Sequence, residues 1–210
     1  MTVPNSQTYE LERGIRYGDD WRIHAGICRR ADSTASRTGD ARHMDRISVK
    51  AIRLQDEALL YVFECENRTY FERSVPSRGD AYYDPESFHQ ALQQLLSEQT
   101  NGDGYYYLIW RDDTIVGRLN VHHTDTDTGE VGYRVGAEHG GRGYATAALR
   151  QLLTFELPGF NRLRAETTID NVASQCVLLR AGFKRDGEAR QMEWAGQTLT
   201  FYTYVYQNDR

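Results

Sequence analysis

The chain has 210 residues, 40% of them hydrophobic and 26% charged, with a formal net charge of −5 at pH 7 and a mean hydropathy of −0.68. That length suits one sizeable domain, alone or with a tail, able to bury a core without staples. The acidic balance argues against a nucleic-acid or anionic-membrane partner, and no apolar run is long enough to span a bilayer. Cys28, Cys65 and Cys176 form no CxxC pair, so neither a structural metal nor a disulfide framework is expected. Residues 1–20 lack the apolar centre of a secretory signal, and a reducing cytoplasm is the expected setting.

Residues 1–46, including CRRADSTASRTGDARHMDR, are polar and show almost no apolar periodicity. Such a segment offers too little burial to offset its ordering entropy, so a flexible extension is expected, with Met44 a candidate start of the folded protein. An irregular N-terminal arm that packs on the domain is the alternative. The folded domain is expected over 47–210. ISVKAIRL opens it as a strand. QDEALLYVFECENRTYFERSV carries Leu59, Leu60, Val62, Phe63 and Tyr70 at helical spacing and stops at Pro76. DPESFHQALQQLLSEQT predicts a helix capped by Asp84, with Pro85 at its first position and Phe88, Leu92, Leu95 and Leu96 as its stripe.

GYYYLIWRDDTIVGRLNVHH reads as two strands turning at Asp112–Asp113, and EVGYRVG as a third. His122 and His123, adjacent on a strand, point to opposite faces and cannot share a metal. EHGGRGYATAALRQLL joins a glycine-rich loop to a helix with Ala148, Leu149, Leu152 and Leu153 inward. RLRAETTI is a strand, NVASQCVLLRAGF a helix between Asn171 as cap and Gly182 as stop, and EARQMEWAGQTLTFYTYVYQ a hairpin turning at Ala195–Gly196. This order of elements predicts an α/β chain, a mixed sheet covered by helices.

The glycine loop poses a chemical question. A helix start exposes unpaired N–H groups and positive dipole, and glycines let further backbone approach an anion, so phosphate is the favoured ligand. A helix start that merely needs left-handed residues is the competing reading. A phosphate loop of the GxxxxGK[ST] type is excluded, because Tyr144 and Ala145 follow Gly143. The dinucleotide pattern GxGxxG fails at Thr146, where its third glycine belongs.

From EVGYRVGAEHGGRGYATAAL through RLRAETTIDNVASQCVLLRAGFKRDGE the chain resembles the GNAT superfamily of acetyl-CoA-dependent N-acetyltransferases, most of all its RimJ/RimL-type branch of ribosomal-protein N-terminal acetyltransferases. ENRTYFERSVP and YYDPESFHQAL resemble the first helical region of that branch. The resemblance spans roughly 47–206. It implies the GNAT fold: a mixed, mostly antiparallel twisted sheet flanked by helices, with splayed central strands. The family's pyrophosphate motif falls on Gly140, Gly141, Arg142, Gly143, Tyr144 and Ala145, with Thr146 next. Gly140 departs from it, since Arg or Gln is usual there. The strand holding Tyr133, Arg134 and Val135 is implied to splay and to take the pantetheine arm of acetyl-CoA as an added strand. By the same resemblance Asn171 contacts that arm, and Ser174 is a candidate proton donor to the leaving thiolate. Read from the residues alone, Asn171 is a cap and Ser174 a first-turn helix residue. Cys176 sits in an apolar stripe and reads as core rather than nucleophile.

Acetyl transfer needs a neutral amine, and an α-amino group with pKa near ~8 is partly neutral already, unlike a lysine near ~10.4. Among candidate bases Glu193, Glu130, Glu64, Glu66 and Glu72, Glu193 matches the carboxylate proposed as base in RimL-like enzymes, and Glu130 is second. Glu66, Tyr70, Phe71, Glu72, Tyr82 and Tyr83 lie in the segment that walls the acceptor site in the family, where acidic groups suit a cationic acceptor. The expected activity is direct transfer of acetyl from acetyl-CoA to a primary amine in a ternary complex, without a metal, most of all to a protein N-terminal α-amine. A small-amine acetyltransferase and a non-catalytic CoA-binding module are the rivals. A monomer or homodimer is expected.

Overall fold

The computed structural model describes residues 47–73, 77–124, 127–194 and 197–207. The expected extension over 1–46 and the hairpin turn at Ala195–Gly196 lie outside them. Strands β1 (Ile47–Ala51), β2 (Gly104–Arg111), β3 (Thr114–His123), β4 (Thr128–Val135), β5 (Arg162–Thr168), β6 (Lys184–Trp194) and β7 (Gln197–Gln207) form one sheet in the order β1-β2-β3-β4-β5-β7-β6. Every neighbouring pair is antiparallel except β4 and β5. Helices α1 (Glu57–Phe71) and α2 (Pro85–Asn101) precede β2, α3 (Tyr144–Leu152) joins β4 to β5, and α4 (Val172–Ala181) joins β5 to β6. The expected element order and the expected mixed sheet are both present.

The sheet is covered on both faces because its strands alternate two apolar sets. Tyr107, Ile109, Leu119, Val121, Val131 and Tyr133 pack with α3 and α4, whereas Tyr106, Leu108 and Trp110 pack with α1 and α2. Local signals fix the helix ends. Asp84 accepts from the Ser87 N–H at 3.1 Å, and Gly182 stops α4 in the left-handed region at φ 104°. Gln151 of α3 reaches β1, its amide oxygen accepting from Val49 N–H at 2.9 Å and its amide nitrogen donating to Ile47 C=O at 3.0 Å. It thereby satisfies backbone groups of the sheet's edge strand.

Three expectations change. Only Leu60 and Phe63 of the α1 stripe are buried in the core. Leu59 and Val62 are exposed, because the inward set is Leu60, Phe63, Glu64 and Phe71. That set includes a carboxylate, which an apolar pattern cannot reveal. The helix ends at Phe71 rather than running toward Pro76. β6 begins at Lys184, because a register break between Asp186 and Arg190, with Gly187 at φ 71°, joins two paired stretches into one strand.

Candidate active site

The site begins where the ladder between β4 and β5 fails. Thr128, Gly129 and Glu130 pair with Arg162, Leu163 and Arg164, and there the pairing stops. β4 continues along β3 as far as Val135 opposite Gly117, and β5 continues along β7 as far as Thr168 opposite Phe201. The segments Val131–Val135 and Ala165–Thr168 therefore diverge as a wedge. Backbone N–H and C=O groups that a neighbouring strand would normally satisfy line it. An extended amide-bearing chain can pair with them as an added strand.

The wedge opens toward the glycine loop. Gly141 has φ 70°, and Gly143 caps α3 at φ 80° and ψ 2° without any side-chain cap. A Cβ on Gly141 would meet nothing within 4 Å, so conformation rather than space requires glycine there. The first N–H groups of α3 and its positive dipole end form an anion cradle, with Arg142 exposed beside them. Burial, reinforced by the charge of Arg142, pushes His139 below the usual imidazole range, which keeps it neutral. The buried His139 Nδ1 and Tyr144 hydroxyl have no partner among the described residues.

Two more buried polar groups border the wedge. Asn171 is 2% exposed; its Oδ1 accepts from Ser174 N–H at 2.9 Å, and its Nδ2 has no partner among the described residues. Thr167, on β5 beyond its last rung with β4, is fully buried, and its Oγ1 has no partner among the described residues. An unsatisfied buried polar group costs about 1–3 kcal/mol, so this pair suits a polar chain that enters the wedge. The Ser174 hydroxyl lies 2.8 Å from that of Tyr133, which also donates to the Ser174 carbonyl at 3.3 Å. The sequence placed Tyr133 here for its backbone; its hydroxyl contact with Ser174 spans 41 positions and was not legible.

The loop, the wedge and these donors fit acetyl-CoA. Its pyrophosphate suits the N–H groups of Gly141–Thr146, and the amides of its arm suit the parted edges of β4 and β5, Asn171 Nδ2 and Thr167 Oγ1. Tyr144 and Thr146 are themselves buried in the first turn of α3, with Ala145 half-buried.

The opposite face is charged. Glu130, Gly132 and Arg134 alternate toward α1, and Arg134 lies 4.5 Å over the Phe71 ring. Glu64 of α1 is 0% exposed, and its Oε1 accepts from Arg134 Nη2 and, at 2.8 Å, from Arg118 Nη1. Burial pushes its carboxyl up, but Arg134, Arg118 and Arg78 outweigh that and hold it at about 2. This removes Glu64 from the candidate bases, since it accepts no proton near neutrality. A second carboxylate, Glu166 of β5, accepts from Arg164 Nη2, from Arg190 Nη2 at 2.5 Å and from Thr203 Oγ1 at 3.3 Å. The sequence offered no signal for that cluster, which draws on three strands.

The remaining candidates are dispersed. Glu130 is half-buried at the last rung before the wedge, opposite His122. Glu193 is exposed on the outer strand β6, and its Oε1 accepts from Thr198 Oγ1 at 2.5 Å. With β7 between β6 and β5, it stands two strands from the wedge. Glu66 is exposed, whereas Glu72 accepts from Arg68 at 3.0 Å and Ser77 at 2.6 Å. Phe71 is buried beneath Arg134, and Tyr70, Tyr82 and Tyr83 are half-buried around α1 and the turn before α2.

Residues 46–184 match the family described as acetyltransferase (GNAT) domain. The chain belongs to that family and is an acetyl-CoA-dependent acyltransferase. Probable N-acetyltransferase YjcK of Bacillus subtilis (strain 168) is 26% identical over 152 residues, 69% of this chain and 84% of that protein. Among solved structures, the ribosomal-protein-S5-alanine acetyltransferase of Vibrio fischeri superposes with a TM-score of 0.70 at 23% identity, over 78% of this chain and 94% of its own. RimL, a ribosomal L7/L12 alpha-N-protein acetyltransferase in complex with coenzyme A, superposes with a TM-score of 0.69 at 20% identity, over 78% and 95%. No helix among the described residues is long and apolar enough to cross a membrane.

Proposed function

We propose that this chain transfers acetyl from acetyl-CoA to the N-terminal α-amine of a protein, by direct attack within a ternary complex. The observation that carries the acetyl-CoA part of the reading is the wedge beyond Glu130 and Arg164, with buried Asn171 Nδ2 and Thr167 Oγ1 beside it, neither with a partner among the described residues. The protein substrates named for the two superposed structures support a peptide acceptor.

The neutral amine enters from the face of Glu130 and attacks the thioester carbonyl. A carbon–nitrogen bond forms, the carbon–sulfur bond breaks, and backbone N–H groups of β4 aimed into the wedge stabilise the developing oxyanion. Glu130 takes the proton from the amine, directly or through one water. The departing thiolate takes a proton relayed through the Ser174 and Tyr133 hydroxyls, 2.8 Å apart, and after the products leave, solvent returns a proton to Tyr133 and takes the one held by Glu130. Glu130 is favoured over Glu193 because it lies on a wedge strand.

The test is an acceptor screen. N-terminal peptides compete with amino acids, polyamines and aminoglycosides while thiol release reports turnover and mass spectrometry locates the acetyl group. The expected result is acetylation of peptide α-amines. Turnover confined to small amines would replace the acceptor class, and no turnover with any amine would leave a CoA-binding module.

A further inference from the structure

On the α1/α2 face of the sheet a pocket opens between α2 and β3, with Arg118, Asn120 and His122 of β3 on its floor. Its volume is ≈ 30 Å³, room for a group of a few atoms and not for a whole substrate. Asn120 pairs with Gly132, the second β4 residue beyond Glu130, and a glycine puts no side chain between the floor and the wedge. The floor is therefore one strand from the wedge edge, on the side from which the amine attacks in the mechanism proposed above.

The charged groups around this pocket are already engaged with one another. Arg118 Nη1 donates to Glu64 Oε1 at 2.8 Å. Arg78 stacks 4.4 Å over the Tyr82 ring, and its charge helps to hold Glu64 ionised. The Tyr106 hydroxyl donates to Glu98 and meets His122 Nδ1 at 3.2 Å. Burial pushes His122 below the usual imidazole range, so that ring is neutral. Asn120 is different. It is 8% exposed, and no hydrogen bond among the described residues uses its carboxamide. A buried amide with its donors and acceptor unmet is costly, so the group at the pocket floor calls for a neutral hydrogen-bonding partner. The helix side of the pocket is apolar, formed by Leu60 of α1 and by Leu92 and Leu95 of α2.

Building on the acetyl-transfer reading above, we infer that the first residue of the acceptor carries a short hydroxyl-bearing side chain, which Asn120 binds while Leu60 and Leu92 pack against its carbon atoms. Threonine supplies both the hydroxyl and an apolar methyl, and serine the hydroxyl alone. Adjacent strands are separated by about 4.8 Å, so the span from a chain seated in the wedge, across β4, to the β3 floor is roughly 10 Å. An attack distance of about 3–3.5 Å and a hydrogen bond of about 2.9 Å take more than half of it. What remains suits the side chain of the residue that bears the amine. A charged side chain would lose its hydration among ionic groups that are paired already, and would gain no partner. The acidic residues expected to draw a cationic acceptor are not among those lining the pocket, since Glu72 is tied to Arg68 and Ser77, and Glu66 faces solvent.

The test compares initial rates for three peptides that differ only in beginning with Thr, Val or Lys, with free threonine and free valine as further acceptors. Thr and Val share a shape and differ in the hydroxyl, so their ratio isolates the hydrogen bond. The wild-type protein is expected to favour the Thr peptide over the Val peptide by roughly tenfold in kcat/KM, and the Lys peptide is expected to be the poorest of the three. Asn120→Leu, of similar size and apolar, is expected to erase or invert the Thr-over-Val preference while acetyl-CoA affinity stays within twofold of wild type. Asn120→Ala is measured beside it, so that the result does not hang on one variant folding, and is expected to bring the two rates together. Equal rates for the Thr and Val peptides in the wild-type protein would overturn the inference and leave the peptide acceptor standing. So would an unchanged preference in either variant with wild-type acetyl-CoA affinity, or a Lys peptide faster than the Thr peptide. Turnover of free threonine over free valine, but of no peptide, would keep hydroxyl recognition and overturn the peptide acceptor instead. Absence of turnover with every amine would overturn both.

Discussion

The two faces of the parted sheet are built differently. The α3/α4 face is assembled from backbone: glycines at positive φ, a bare helix start, strand edges that part beyond Glu130 and Arg164, and small polar side chains at Asn171, Ser174 and Thr167. The α1/α2 face is assembled from charge, with Glu64 among arginines and Glu166 between Arg164 and Arg190. The first face suits a donor molecule whose amides and phosphates are the same in every turnover. On the reading proposed above, the second faces the acceptor, through side chains rather than backbone. On that reading donor recognition belongs to the backbone of the fold, and acceptor recognition to side chains.

The largest expected effect lies at the junction of the two faces. Glu130→Gln should lower kcat by ~10²–10⁴-fold with acetyl-CoA affinity nearly intact, because a positioned base contributes on that scale. The loss should lessen at high pH, where solution supplies neutral amine. Glu193→Gln measured in parallel decides between the two carboxylates: a larger fall there would move the base to the outer hairpin. Ser174→Ala should lower kcat with little change in acceptor KM, and single-turnover rates would show it.

On the charged face, Glu64→Ala should destabilise the fold by about 3–5 kcal/mol, since it removes the carboxylate shared by buried Arg134 and half-buried Arg118. Chemical denaturation checks this. The pH dependence has a definite sign. The folded carboxyl lies at about 2, against an ordinary value of 4.5. Its stabilisation is therefore complete above pH 4.5 and is lost as pH falls toward about 2. The melting temperature of the wild-type protein should drop through that window, and the drop should be shallower in a folded Glu64→Gln variant.

On the backbone face, Gly143→Val would force a β-branched residue to a φ of 80°. Backbone strain of about 1–3 kcal/mol and obstruction of the anion cradle should weaken acetyl-CoA binding several-fold, as calorimetric titration would read. Unchanged affinity in the folded variant would take the pyrophosphate away from this loop. The smallest effect belongs to neither face: Asp84→Ala removes the cap of α2 and should cost about 1 kcal/mol, a shift of a few degrees in melting temperature.

Much of this contrast follows from where the information sits in the chain. The anion loop, the cap at Asn171 and the stop at Gly182 are local, because each depends on φ or on a hydrogen bond within a few residues. The order of strands and helices was readable for the same reason, as was the motif resemblance that pointed to the wedge. Local pattern also misled. Leu59 and Val62 read as core and are exposed, while Glu64, their neighbour, is among the most buried side chains.

What the sequence by itself determined is the set of elements and the glycine loop at a helix start, because those rest on torsions and short-range hydrogen bonds; the class of donor came with the family motif that the loop resembles. Only the tertiary structure decided that Ser174 meets Tyr133 across 41 positions and that Arg134 reaches Glu64 across 70. It likewise decided that Glu166 draws its partners from β5, β6 and β7. Those contacts depend on which strands become neighbours and in what register. That choice is made by burial of the whole sheet, and no short stretch of sequence contains it.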